Sequence, residues 1–242
     1  LNYPEKELVE LKSEELKIMY LNIYLISYTK VLEHYKLDKL YYLDLSCNNI
    51  SDINIFAKVN LKELRELNLR GNAISDIKVF QDVIMDKLAL LNLSGNNITE
   101  INISKEINAK ELKELNLEGN KLSYIKILAN ITFNKLEKLY LDRNEILEIN
   151  ISKEINAKVF KILNSFYTTI SVIKISADIK FDNLKVLNLK GKKIKEINIS
   201  KEFKAQELKM LNLENNEILD LKAFKNLKFD NLELLNLSKN RI

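Results

Sequence analysis

Catalysis needs reactive side chains that can meet, and this sequence is short of them. His34 is the only histidine and Cys47 the only cysteine among 242 residues. A Ser–His–Asp set, a Cys–His pair or a tetrahedral zinc site each needs such side chains in company. His34 has no second histidine to act with, and its role is read as structural or as plain surface. Carboxylates abound, yet they stand mainly beside lysine, as in KEL and SKE, the pattern of a solvated, ion-paired face. The four glycines are spread singly at Gly71, Gly95, Gly119 and Gly191 instead of clustering into a phosphate-cradling loop. The chain is therefore read as non-enzymatic, with no catalytic residue, no metal ligand and no cofactor.

What remains is recognition. Tyrosine and arginine are the side chains that concentrate energy at protein interfaces. Tyr41 and Tyr42 stand beside Asp44, and Tyr140 stands with Asp142 and Arg143. Phe166 and Tyr167 follow 24 residues after Asp142 and Arg143, and Lys190 follows Phe166 by the same interval. These nine residues are the candidate partner-binding set, centred on an aromatic patch of Tyr140, Phe166 and Tyr167 flanked by Arg143 and Lys190. In the alternative reading Phe166 and Tyr167 turn inward to fill the space left by Ser165, which replaces an inward leucine.

The interval of 24 organises the whole chain. Leu40 starts LYYLDLSCNNI, Leu64 starts LRELNLRGNAI and Leu88 starts LALLNLSGNNI; similar strings start at Leu112, Leu136, Phe160, Leu184, Leu208 and Leu232. In each LxL the two leucines face one way and the residue between them the other, as a strand requires. A parallel ladder has no hairpin to close it, so each unit must return by a crossover. Equivalent residues then stack about 4.8 Å apart. A second period of 48 runs through TEINISKEINAKEL at Thr99, LEINISKEINAKVF at Leu147 and KEINISKEFKAQEL at Lys195, which reads as duplication of a two-coil unit.

The pattern LxxLxLxxNxI resembles the leucine-rich-repeat family over residues 40–242, closest in look to its phosphatase-regulator and internalin-type branches. The resemblance implies an α/β solenoid: a horseshoe or arc with a concave parallel β-sheet and short helical or extended convex segments. It implies that Asn48, Asn72, Asn96, Asn120, Asn144, Asn216 and Asn240 point inward and bond the backbone of adjacent coils. It implies, too, a scaffold that holds a protein partner on the concave face. A structural spacer or assembly subunit using its ends and convex face is the alternative. On the concave face the residue between the two leucines is asparagine in seven units, and these amides are expected to bond one another along the sheet.

Residues 1–15 are read as an N-terminal cap or partial coil, 16–39 as a degenerate first repeat, and 40–242 as nine repeats with the last incomplete. A helix over part of 14–36 is the rival for the first repeat. Self-association or continuation is expected at the C-terminal end, where the pattern stops midway through a unit. Leucine, isoleucine, asparagine and lysine supply 137 of the 242 residues, and one proline leaves little room for a fold of many hairpins. The net charge of +4 arises from 38 basic and 34 acidic residues that interleave, without the basic stripe that a nucleic-acid partner needs. No apolar run reaches the roughly 18 residues of a membrane span. Eight Asn-x-Ser/Thr triplets occur, and Asn92 and Asn236 lie on concave strands where a glycan would obstruct binding. A cytoplasmic location is favoured on that ground, with a secreted or bacterial cell-surface one as the alternative.

Overall fold

The computed structural model describes residues 15–22, 29–99, 109–123, 135, 137–146, 148–151, 162–164, 172–175, 185–199, 206–225 and 227–242. Short strands recur every 24 residues: β1 (Ile18–Tyr20), β2 (Tyr42–Asp44), β3 (Glu66–Asn68), β4 (Leu90–Asn92), β5 (Glu114–Asn116) and β6 (Lys138–Tyr140). Strands β8 (Ile162–Asn164), β10 (Val186–Asn188), β12 (Met210–Asn212) and β13 (Leu234–Asn236) continue the series. These ten form one sheet in that order. All neighbours are parallel, with residue i facing residue i+24, as in Leu43 to Leu67 and Leu67 to Leu91. On the opposite side β7 (Glu148–Ile151), β9 (Val172–Ile175) and β11 (Glu196–Ile199) pair in parallel as a three-stranded sheet. The stack of parallel coils is the expected solenoid. β1 pairs with β2 in the same register, Met19 facing Leu43, and a 3-10 turn spans Thr29–His34. Within the 14–36 segment, residues 14 and 23–28 lie outside the described residues.

Hydrophobic patterning explains why these segments stack. The inward leucines Leu43, Leu67, Leu91, Leu115 and Leu139 are all at most 3% exposed. Burying each is worth up to about 1.5–3 kcal/mol against an extended chain. Phe56 and Phe80, both fully buried, stack with ring centroids 6.0 Å apart between neighbouring coils.

The backbone leaves each strand by a left-handed residue. Gly71, Gly95, Gly119 and Gly191 have φ between 64° and 71°, and Cys47, Arg143, Asn215 and Lys239 adopt φ of 54–57° in the same column. Glycine takes this conformation without strain; the others carry it at some cost. One residue on, the inward asparagine closes the turn. The Asn120 amide donates to the carbonyls of Leu93 (2.9 Å) and Leu117 (3.0 Å), and its oxygen accepts the Ile98 N–H (3.1 Å). Asn72, Asn96, Asn144, Asn216 and Asn240 donate to the equivalent carbonyls. Lys192 stands in this column instead of asparagine and is fully buried.

On the convex side one column decides the local conformation. The carboxylates of Asp52, Asp76 and Asp220 accept the N–H two residues on, at 2.8, 2.8 and 2.9 Å. Such a bond folds the chain into a turn. The 3-10 segments Asn54–Ala57, Lys78–Gln81 and Lys222–Phe224 follow directly. Where Glu148, Val172 and Glu196 take the same place, β7, β9 and β11 begin. Glutamate is one methylene too long for that short ring, and valine offers no acceptor.

Candidate protein-binding surface

The ten-stranded sheet offers two outward residues per strand. In the second of these columns stand Asp44, Asn68, Asn92, Asn116, Tyr140, Asn188, Asn212 and Asn236. The sequence led us to expect these asparagines to bond one another, but among the described residues they do not. Each side-chain oxygen accepts the N–H two residues later in its own chain: Arg70 on Asn68 (3.2 Å), Ser94 on Asn92 (3.0 Å), Glu118 on Asn116 (2.9 Å) and Lys190 on Asn188 (3.3 Å). The reason is geometric. The backbone N–H just past the strand lies closer to each amide than the next amide does, and it needs an acceptor. Asp44 does the same, accepting the Ser46 N–H at 2.8 Å, and is 8% exposed. The Tyr42 hydroxyl donates to its other oxygen at 3.4 Å. Burial, reinforced by the Asp44 carboxylate, pushes the Tyr42 hydroxyl above its ordinary pKa.

Around this pair lies an aromatic cluster. The Tyr20 and Tyr42 rings are tilted together with centroids 5.1 Å apart, and Tyr20 is 59% exposed, with Ile18 and Tyr41 also open to solvent. Tyr20 was not among the partner contacts expected from the sequence. Its signal was present, because it lies 24 residues before Asp44 and so occupies the outward column of β1.

Farther along, Tyr140 is half-buried on β6, paired in register with Asn116 and Asn164. It offers no acceptor of the asparagine kind. Arg143 reaches Glu118 at 3.6 Å. Lys138 pairs with Glu114 at 3.0 Å, which raises its pKa. Lys190 and Lys239 both hold Glu214, at 2.7 and 3.1 Å, and draw that carboxyl below its usual range. Asp142 is half-buried, and burial pushes its pKa to about 6 against the opposing pull of Lys192. Burial likewise lowers Lys192 to about 7, with Asp142 acting the other way. Phe166 and Tyr167 lie outside the described residues. The sheet therefore brings Tyr41, Tyr42 and Asp44 together at one end, and carries Tyr140, Asp142, Arg143 and Lys190 on later coils.

Among the described residues no group of three or more histidine, cysteine, aspartate and glutamate side chains converges as a metal site. Nor is any helix among them long and apolar enough to cross a membrane.

A sequence profile of the leucine-rich repeat matches residues 38–84. The stacked parallel coils, most of the described ones closed by an inward asparagine, extend that match through the sheet. The chain has the leucine-rich-repeat fold. Solved leucine-rich-repeat structures agree. The functional domain of InlJ from Listeria monocytogenes, which includes a cysteine ladder, is 24% identical with a TM-score of 0.61, over 84% of this chain and 40% of that one. An internalin, InlF, from the same organism is 23% identical with a TM-score of 0.55, over 98% of this chain and 70% of that one. The leucine-rich-repeat ectodomain of a plant membrane receptor kinase from Arabidopsis thaliana, in complex with Casparian strip integrity factor 2, is 20% identical with a TM-score of 0.59. That likeness covers 93% of this chain and 27% of the receptor. No curated protein sequence matches this chain. The chain thus spans well under half the length of the InlJ structure, and its single cysteine leaves no cysteine ladder within these residues. The leucine-rich-repeat fold is commonly a protein-interaction scaffold.

Proposed function

We propose that this chain is a non-enzymatic scaffold that binds another protein on its concave sheet. The observation that carries the reading is the continuous ten-stranded face. Its inward leucines are spent on the core while tyrosines at its N-terminal end stand exposed. A flat row of rigid, amphipathic side chains on a fixed backbone binds with little ordering cost. The partner contacts proposed are Tyr41, Tyr42, Asp44, Tyr140, Asp142, Arg143 and Lys190, together with Phe166 and Tyr167. Asp44, being buried, acts by holding Tyr42. The plant receptor ectodomain, a fold neighbour seen in complex, supports this reading by analogy alone.

A second reading, an assembly subunit that uses its ends and convex face, draws on one observation. Ile84 and Leu219, both outside the ten-stranded sheet, are 57% and 65% exposed. The two readings part in one experiment. The partner is recovered from the source organism by affinity capture and identified by mass spectrometry, and the purified complex is then followed by hydrogen exchange. Protection confined to strands of the ten-stranded sheet between β1 and β10 and to their exits supports the concave scaffold. Protection of residues 232–242 or of the convex segments, with those strands unchanged, refutes it.

A further inference from the structure

Apart from Lys113 and Lys185, which are exposed and outside any ion pair among the described residues, the cations at the two ends of the sheet differ. At the C-terminal end Lys190, Lys209 and Lys239 each sit within 3.1 Å of a glutamate on a neighbouring coil. At the N-terminal end Lys17, Arg65 and Arg70 are exposed, and among the described residues none has a carboxylate within ion-pair distance. Two of these three frame the aromatic cluster directly. Tyr41 donates its N–H to the Lys17 carbonyl at 2.9 Å, and Arg65 donates to the Tyr41 carbonyl at 2.8 Å, so the three stand in one row across successive coils. Nearby, the Asp44 carboxylate is already engaged by Ser46 and Tyr42. Glu66, on β3, is the only other acid among the outward residues of β1–β3.

We infer that this end of the sheet is the docking site for an acidic protein segment carrying a large apolar side chain. The inference rests on the concave-scaffold reading and gives it a place and a partner chemistry. Tyr20, Tyr41 and Tyr42 supply the apolar contact, with Ile18 beside them. Arg65 offers a planar fork that matches a carboxylate with two parallel hydrogen bonds, and Lys17 adds a point charge on the other side of the ring. Aromatic rings with cations also suit single-stranded nucleic acid. A phosphate backbone, however, asks for a basic track along many coils; here, among the described residues, Lys138, Lys190 and Lys209 are matched by glutamates, and the open Lys113 and Lys185 stand three coils apart. A short acidic segment fits a patch of three cations better.

The test pans a random-peptide phage library on the folded chain, then measures a selected peptide, fluorescein-labelled, by anisotropy. The expected selection is rich in aspartate and glutamate around an aromatic or leucine. Binding should weaken with added salt. Tyr20→Ala and Arg65→Ala should each lower affinity at least tenfold while Lys185→Ala, far along the sheet, stays within twofold. Circular dichroism checks that the variants fold, and both altered residues are exposed. Selection of basic or uncharged peptides, or no selection at all, overturns the inference. So does a labelled thymidine oligonucleotide that binds more tightly through the same two residues. If binding is lost in Tyr140→Ala but kept in Tyr20→Ala and Arg65→Ala, this placement falls and the concave scaffold stands. If none of these variants matters, both fall.

Discussion

The coil beginning at Leu64 and the coil beginning at Leu184 share one frame and differ at two decisive places. Both put a left-handed glycine at the strand exit, Gly71 with φ 67° and Gly191 with φ 71°. The next residue is Asn72 in one and Lys192 in the other. Asn72 bonds the carbonyls of Leu45 and Leu69 and accepts the Ile50 N–H. Lys192 is equally buried but carries no acceptor, and Lys193 after it adopts a left-handed φ of 60° that the Leu64 coil does not need. Four residues beyond the ladder position, Asp76 opens a 3-10 turn and Glu196 opens a strand. A leucine frame thus fixes the stack, while two polar columns set how tightly each coil is tied and how it returns.

The largest test of this contrast removes the ladder where it exists. Asn72→Ala strands two carbonyls and one N–H inside the stack and should destabilise by about 2–3 kcal/mol. An unchanged urea midpoint would show that the ladder bonds add nothing net. The converse change, Lys192→Asn, restores donors and an acceptor and removes a buried amine. It should stabilise by roughly 1–2 kcal/mol, and a lower urea midpoint would break the comparison.

The same pair predicts a pH signature. Lys192 falls from 10.5 to about 7 on folding, so between those values the unfolded chain holds more protons and stability rises with pH. Asp142 rises from 3.8 to about 6, so between those values the folded chain holds more, and its contribution falls as pH rises. Together they give a minimum between about pH 6 and 7. The limb above pH 7 should vanish in Lys192→Asn and the limb below pH 6 in Asp142→Asn, each read from urea midpoints against pH. A limb that persists in its own variant refutes the assignment.

A subtler difference concerns local opening. Amide exchange over residues 185–194 should run faster than over 65–74, because the first stretch lacks its own ladder side chain; equal rates would contradict this. The smallest effect is on the convex side. Asp76→Ala should lose about 0.5–1 kcal/mol with the turn bond, whereas Glu196→Ala should stay within about 0.5 kcal/mol. Equal losses would mean that the convex column does not choose between turn and strand.

Much of this was legible in the sequence, because a period of 24 with no insertion fixes register outright. The inward leucines, the ladder asparagines and the left-handed exit could be read from their columns. Glycine betrayed the exit, and Cys47, Arg143, Asn215 and Lys239 follow it there. The concave asparagines were placed on the right face but given the wrong partner, since spacing shows which residues stack and not which backbone N–H is left over. The convex split was missed for a related reason. Aspartate and glutamate look alike in a charge pattern, and only the length of the ring they close separates a turn from a strand. Tyr20 was left out of the candidate contacts because its coil has Tyr24 in the place of the ladder asparagine, and its i, i+4 spacing with Tyr24 and Tyr28 also suits a helix, even though its register is intact.

Ahead of strands β1–β6 runs a row whose charges alternate: Glu15, Lys39, Glu63, Lys87, Glu111, Lys135. Glu15 pairs with Lys39, Glu63 with Lys87 at 2.6 Å and Glu111 with Lys135 at 2.5 Å. Each pair is exposed and weak, but the row has parity. Excising one coil sets Glu63 against Glu111, or Lys39 against Lys87, whereas excising two returns every sign to its place. Recombination within this stretch therefore meets least resistance in even steps, and the gene should shorten or lengthen here by pairs of coils.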